Sequence, residues 1–165
     1  MKLTMIRFSI GLLFSVMLST VTIHGQHLFF QRVYDETLAQ ASYVIADKNT
    51  GEAIVIDPKR DIDTYVQIAQ ENHLKISKVT ETHIHADFLS GARELAHVTG
   101  AELLLSGEGG VDWQYLFAHK QLMDGDMIRI GSHVLKVMHT PGHTPESITF
   151  LLMDQGNKMP VKAIT

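Results

Sequence analysis

A layered α/β (α+β) fold is predicted for this chain by three observations. Short β-branched and aromatic runs recur from His27 to Ile164. Two stretches with helical apolar spacing interrupt them, at Ile62–Ala69 and Phe88–Thr99. Two histidine motifs fall where a strand pattern gives way to a loop, which is where side chains from different elements converge. At 165 residues there is room for one domain, and 45% hydrophobic with 19% charged residues is ordinary for a globular chain.

His27 to Val33 and Ser42 to Ala46 read as strands, and Asp47-Lys48-Asn49-Thr50-Gly51 as a turn using Asn and Gly for unusual dihedrals. Glu52 to Ile56 returns as a strand that Asp57-Pro58 closes. Asp61 is placed to cap a helix through Ile62, Tyr65, Val66 and Ala69. Ile76 to Thr80 is the next strand. Phe88, Leu89, Ala92, Leu95, Ala96 and Thr99 then mark one face of a second helix ended by Gly100. Ala101 to Leu105 is a strand and Gly107–Gly110 a loop. Asp124-Gly125-Asp126 is a hairpin-type turn before strands Met127–Ile130, His133–Met138 and Ile148–Met153, and Val161–Ile164 begins one more.

Residues 1–25 are of different material. Lys2 and Arg7 precede an apolar run, Phe8 to Leu18, followed by Ser19, Thr20 and small residues up to Gly25. This is the order of a secretory signal peptide, and the run is shorter than the roughly 20 residues that span a bilayer. The expected organisation is a signal peptide at 1–25 and one domain at 26–165, with an exported product, periplasmic or secreted, that keeps no membrane span. Removing Lys2 and Arg7 from the 14 basic residues leaves 12 against 18 acidic ones, so no electrostatic footprint for nucleic acid exists. With no cysteine, disulfides, thiolate metal sites and a cysteine nucleophile are excluded within these residues.

The chemistry is carried by Thr82-His83-Ile84-His85-Ala86-Asp87 and by Thr140-Pro141-Gly142-His143-Thr144. Imidazoles at i and i+2 of a turning segment can be aimed into one pocket, and a nearby carboxylate suits zinc or iron. His143 sits in a Pro-Gly turn that fixes its direction. His139 reads as support for that turn. His24, His27, His73, His97, His119 and His133 show no partner pattern and are expected to be solvated or packed. Arg93 and Glu94 read as a solvated helix face, and Trp113, Tyr115 and Phe117 as core rather than groove.

These segments, Glu81 to Gly91 and His139 to Thr144, resemble the metallo-β-lactamase superfamily, most nearly its persulfide dioxygenase branch, which includes rhodanese-fused forms. The resemblance implies an αββα sandwich with a metal at one edge, of which this chain holds the N-terminal part, incomplete at its C-terminus. It implies that His83 and His143 bind the metal while His85 and Asp87 stand beside it, with helix capping a compatible second duty for Asp87. In the two-metal hydrolases of the superfamily the residue after that Asp is a His; here it is Phe88. One Fe(II), held by two His and one Asp, is therefore implied, with a low-molecular-weight thiol persulfide of the glutathione type as the small-molecule substrate. A zinc-dependent thioester hydrolase of glyoxalase II type and an inactive fragment are the alternatives. The carboxylate ligand is expected just after Thr165; Asp154, beside Gln155-Gly156-Asn157, reads as a turn residue instead.

Overall fold

The structure is a computed structural model describing residues 27–153 and 160–165. The leader at 1–25 and Asp154 lie outside the described residues. Among the described residues, ten strands form two sheets. The first has the order β1 (Leu28–Asp35), β2 (Gln40–Asp47), β3 (Glu52–Ile56), β4 (Lys75–Thr80), β5 (Glu102–Ser106), β6 (Lys120–Leu122). The second has the order β10 (Pro160–Ile164), β9 (Ile148–Met153), β8 (His133–His139), β7 (Met127–Ile130) and is antiparallel throughout. Helices α1 (Asp63–Glu71) and α2 (Ala92–Thr99) make the crossovers that let β3, β4 and β5 run parallel.

Two cores follow from the alternation of side chains along the first sheet. Val44, Val55 and Val79 point to the helices and pack with Tyr65, Ile68 and Leu95. Ile45, Ile54, Ile56 and Leu104 point the other way, against Leu135, Val137, Phe150 and Leu152 of the second sheet. Strand β3 serves both cores, which is why four of its five residues are fully buried and Ala53–Ile56 is an unbroken apolar run after Glu52. The result is three layers, helix on sheet on sheet, as the sequence led one to expect for this part of a sandwich.

A pin joins the two sheets at one end. Asp47 closes its own turn by accepting from the Asn49 N–H (2.8 Å), and its other oxygen accepts from the Ser132 N–H at 2.6 Å. Glu52 accepts from the Gly131 N–H at 2.9 Å. A Cβ at Gly131 would stand 2.4 Å from Asp47 Oδ2, and its φ of +53° is left-handed, so glycine is required twice over. These bonds hold Asp47 down to a pKa of about 2, overcoming the opposing effect of its burial.

Several local expectations need correction. The second helix begins at Ala92, not at Phe88: Gly91 is the N-cap, and Asp87 caps nothing. Gly91 is pressed so closely on the preceding segment that an added Cβ would lie 2.2 Å from the Lys59 carbonyl oxygen, and its N–H donates to Pro58 O at 2.8 Å. That contact stops the helix from starting earlier. Asp61 does not cap α1 through the backbone; Ile62 is the N-cap, and Asp61 accepts only from the Thr64 hydroxyl at 3.3 Å. Asp124-Gly125-Asp126 is no hairpin, because β6 pairs with β5 and β7 with β8, so the turn carries the chain from one sheet to the other. Gly100 does end α2, at a φ of +69°.

Candidate metal centre

The C-terminal ends of β3 and β4 and the β8–β9 loop meet at the end of the sandwich opposite the Asp47 pin. Strand β3 delivers Asp57. Strand β4 delivers Glu81 and Thr82 and then the loop through His83, His85 and Phe88. The β8–β9 loop delivers His143 and Glu146. Three bonds tie these segments across the two sheets. Ile148 N–H donates to Thr82 O (2.8 Å), Ile84 N–H to Glu146 Oε1 (2.6 Å), and Ser106 Oγ to Glu146 O (2.7 Å).

The histidines converge. The rings of His83 and His85 stand 4.1 Å apart, and those of His83 and His143 stand 4.8 Å apart, edge to face. Asp57 organises the first loop. Its Oδ1 accepts from the Thr82 N–H (2.6 Å) and faces His85 Nε2 (3.1 Å), and its Oδ2 accepts from the Thr82 hydroxyl (2.9 Å). The residue has a φ of +53°, a left-handed conformation that Asp tolerates better than most side chains, held here by the bonds around it.

A hydroxyl has one proton, and Thr82 gives it to Asp57. Toward His83 Nδ1, 2.9 Å away, the same oxygen must therefore accept, so Nδ1 carries the ring hydrogen and Nε2 keeps a bare lone pair. Burial, then the neighbouring His85, holds His83 below the ordinary histidine pKa, which keeps it neutral. A neutral imidazole with one nitrogen fixed by a hydrogen bond and the other bare is what a metal ligand requires. His143 is exposed and, among the described residues, has no hydrogen bond on either ring nitrogen. Both imidazoles border a cavity of about 350 Å³ whose wall also includes Thr140, Ser147 and Thr165. Among the described residues no three His, Asp or Glu side chains are arranged to hold a metal together. The two imidazoles, one with a bare ring nitrogen and both bordering one cavity, are donors of the kind zinc or iron takes.

His85 is brought to the centre but turned toward Asp57. Burial opposes its charge, yet the Asp57 carboxylate, with Glu81 and Asp87 behind it, lifts its pKa above the ordinary value. Asp87 is exposed and acts on His85 only through its field. The ring of Phe88 lies 4.3 Å from that of His85. His139 supports the turn as expected, donating from Nε2 to Pro145 O at 2.8 Å.

Sequence reasoning missed Asp57, Glu81 and Glu146, all of which are buried here. Burial raises the pKa of Glu81. Tyr115 donates toward Glu81 Oε2 at 3.4 Å; burial and the carboxylates of Glu81, Glu146 and Asp57 keep its hydroxyl protonated. Tyr115 and Phe117 are not core residues, contrary to expectation: they are half-buried and line a second cavity, of about 280 Å³, beside His85 and Phe88. Trp113 is also only half-buried.

The chain is thus a two-sheet sandwich whose histidine-bearing loops are joined at one edge. A family model described as the metallo-beta-lactamase superfamily matches residues 36–156, and the chain belongs to that superfamily, whose members are metal-dependent enzymes. The mitochondrial persulfide dioxygenase ETHE1 of Mus musculus is 29% identical over 140 residues, covering 84% of this chain and 53% of that protein. A solved metallo-beta-lactamase of Staphylococcus aureus subsp. aureus COL is 44% identical with a TM-score of 0.80, covering 84% of this chain and 42% of that one. ETHE1 from Myxococcus xanthus is 33% identical with a TM-score of 0.67, covering 75% and 53%. The chain spans about half the length of the curated relatives it matches.

Proposed function

We propose that this chain is the metal-binding portion of a one-iron persulfide dioxygenase, which converts a low-molecular-weight thiol persulfide, dioxygen and water to the free thiol, sulfite and two protons. The observation that carries the reading is Phe88. Its ring packs on His85 at the position where a second metal would need an imidazole. Similarity to persulfide dioxygenases supports the same choice.

In this reading His83 and His143 hold the iron, with a carboxylate from beyond the described residues as the third ligand. Thr165 lies in the wall of the cavity that both imidazoles border. Iron, when bound, supplies the electron transfer that lets ground-state dioxygen react with a closed-shell sulfur compound. The protein's part is geometric and electrostatic. Thr82 fixes the tautomer of His83. Asp57 holds the proton of His85 at Nε2, beside the cavity. Phe88 shields one side from water.

The order of residues in the leader supports export of the product, which a mass corresponding to a start at Gln26 would establish. The activity test is oxygen uptake by iron-loaded protein on addition of a thiol persulfide, with sulfite formed in equal amount. Zinc retention with cleavage of a glutathione thioester would instead support the hydrolase. Neither activity, with weak metal binding, would support an inactive fragment.

A further inference from the structure

The cavity beside Phe88 has a wall of a different character from the metal cavity. Ile84, Phe88, Leu89, Leu105 and Phe117 make it apolar, and its volume is about 280 Å³. One basic side chain of α2, Arg93, stands in the same wall. Its guanidinium lies 4.3 Å from the centre of the Phe117 ring. Among the described residues Arg93 has no acidic partner, whereas its neighbour Glu94 is paired with Arg60. Arg93 is exposed, and its guanidinium rests on the ring with no hydrogen bond to a described residue, so its donors face solvent and are open to a planar anion. His85 borders this cavity, and its ring centre lies 4.1 Å from that of His83, which borders the other cavity, so His85 is the side chain that separates the two.

We propose that this cavity seats the carrier portion of the thiol substrate and that Arg93 binds its carboxylate. The substrate is a compact monocarboxylate thiol: an apolar stem against Phe88 and Phe117, a carboxylate on Arg93, and sulfur directed past His85. Glutathione fits this wall less well. It brings two carboxylates and an ammonium, while the wall offers one guanidinium, and the carboxylate of Glu81 in the same wall is buried and accepts from Tyr115. The inference rests on the oxygenase reading for the identity of the reacting sulfur, but the carboxylate site itself does not depend on it.

The test uses 3-(methylthio)propionate, which has the stem and carboxylate but no thiol to bind a metal, titrated into the full chain by NMR. Its methyl ester and S-methylglutathione are the comparisons. Arg93→Gln is expected to raise the Kd for the acid roughly ten- to a hundredfold, the range of a charge-assisted hydrogen bond, and to leave the ester unchanged. Arg93→Lys should recover only part of the affinity, because a point charge cannot replace a planar fork. With 3-mercaptopropionate persulfide and iron-loaded enzyme, Arg93→Gln should raise KM by a similar factor and leave kcat within about twofold. Equal binding of the acid by wild type and Arg93→Gln, or tighter binding of S-methylglutathione than of the acid, would overturn the proposal. Binding that depends on Arg93 without oxygen uptake from any persulfide would uphold the carboxylate site and refute the oxygenase reading. Oxygen uptake indifferent to Arg93 would do the reverse.

Discussion

Glu146 accepts the backbone N–H of Ile84 at 2.6 Å across 62 residues of sequence, and so joins the two loops that carry His83 and His143. The same oxygen accepts the Thr144 hydroxyl at 2.9 Å. One buried carboxylate therefore sets the separation of His83 from His143. Neither histidine motif contains the means of doing this by itself.

Removing that carboxylate should loosen both loops together. Glu146→Ala is expected to lower unfolding stability by about 2–3 kcal/mol, the range for a buried hydrogen bond to a charged group whose partner is left unpaired. Glu146→Gln keeps an acceptor and should lose less. Urea denaturation of the two variants gives the comparison.

Gly91 holds the exit of the first histidine loop against Lys59. A methyl group there meets the Lys59 carbonyl and the Ile62 side chain, so Gly91→Ala is expected to cost at least about 2 kcal/mol despite the higher helix propensity of alanine. Thermal unfolding would show a clear drop in Tm; an unchanged Tm would mean the loop exits by another path.

Asp47 predicts a particular acid response. Its pKa is depressed to about 2 in the folded chain from an ordinary 3.8, so the stability it contributes is complete above pH 4. That contribution is lost as pH falls through the interval toward 2, and amounts to roughly 1–2 kcal/mol after allowance for solvent screening. Asp47→Asn should be less stable at neutral pH and show a shallower fall in stability between pH 4 and pH 2.

Phe88 is assigned the exclusion of a second metal. Phe88→His restores the side chain found at this position in two-metal hydrolases, next to His85 and Asp87. Zinc content measured by mass spectrometry should rise from about one per chain toward two. No rise would show that something other than this ring limits the site.

Much of the frame was legible because burial writes itself into the chain as apolar alternation. Glu52–Ile56, Met127–Ile130 and Ile148–Met153 were read with their observed bounds. Strand β6 was missed because Lys120–Leu122 is a short edge strand with one buried residue, too little to leave a period. Phe88 and Leu89 continued the helical spacing of α2, yet Phe88 is spent on His85 and Leu89 is exposed, so a tertiary contact outweighed the pattern. The histidines were found because two motifs coincided. Asp57 was not, since Asp-Pro after a strand is ordinary turn chemistry, and only the fold brings Thr82 and His85 to it from 25 and 28 residues away. Glu146 hid for the same reason. Arg93 was read as solvated and is exposed; what the sequence does not show is that Phe117 lies beneath it.

The most direct measurement is the metal content of the chain after anaerobic reconstitution with ferrous iron, compared among wild type, His83→Ala and His143→Ala. The account predicts up to one iron in the wild type, and a loss of affinity of roughly tenfold or more in each variant with the fold intact by circular dichroism. Iron retained equally in all three, or two metals bound by the wild type, would contradict it.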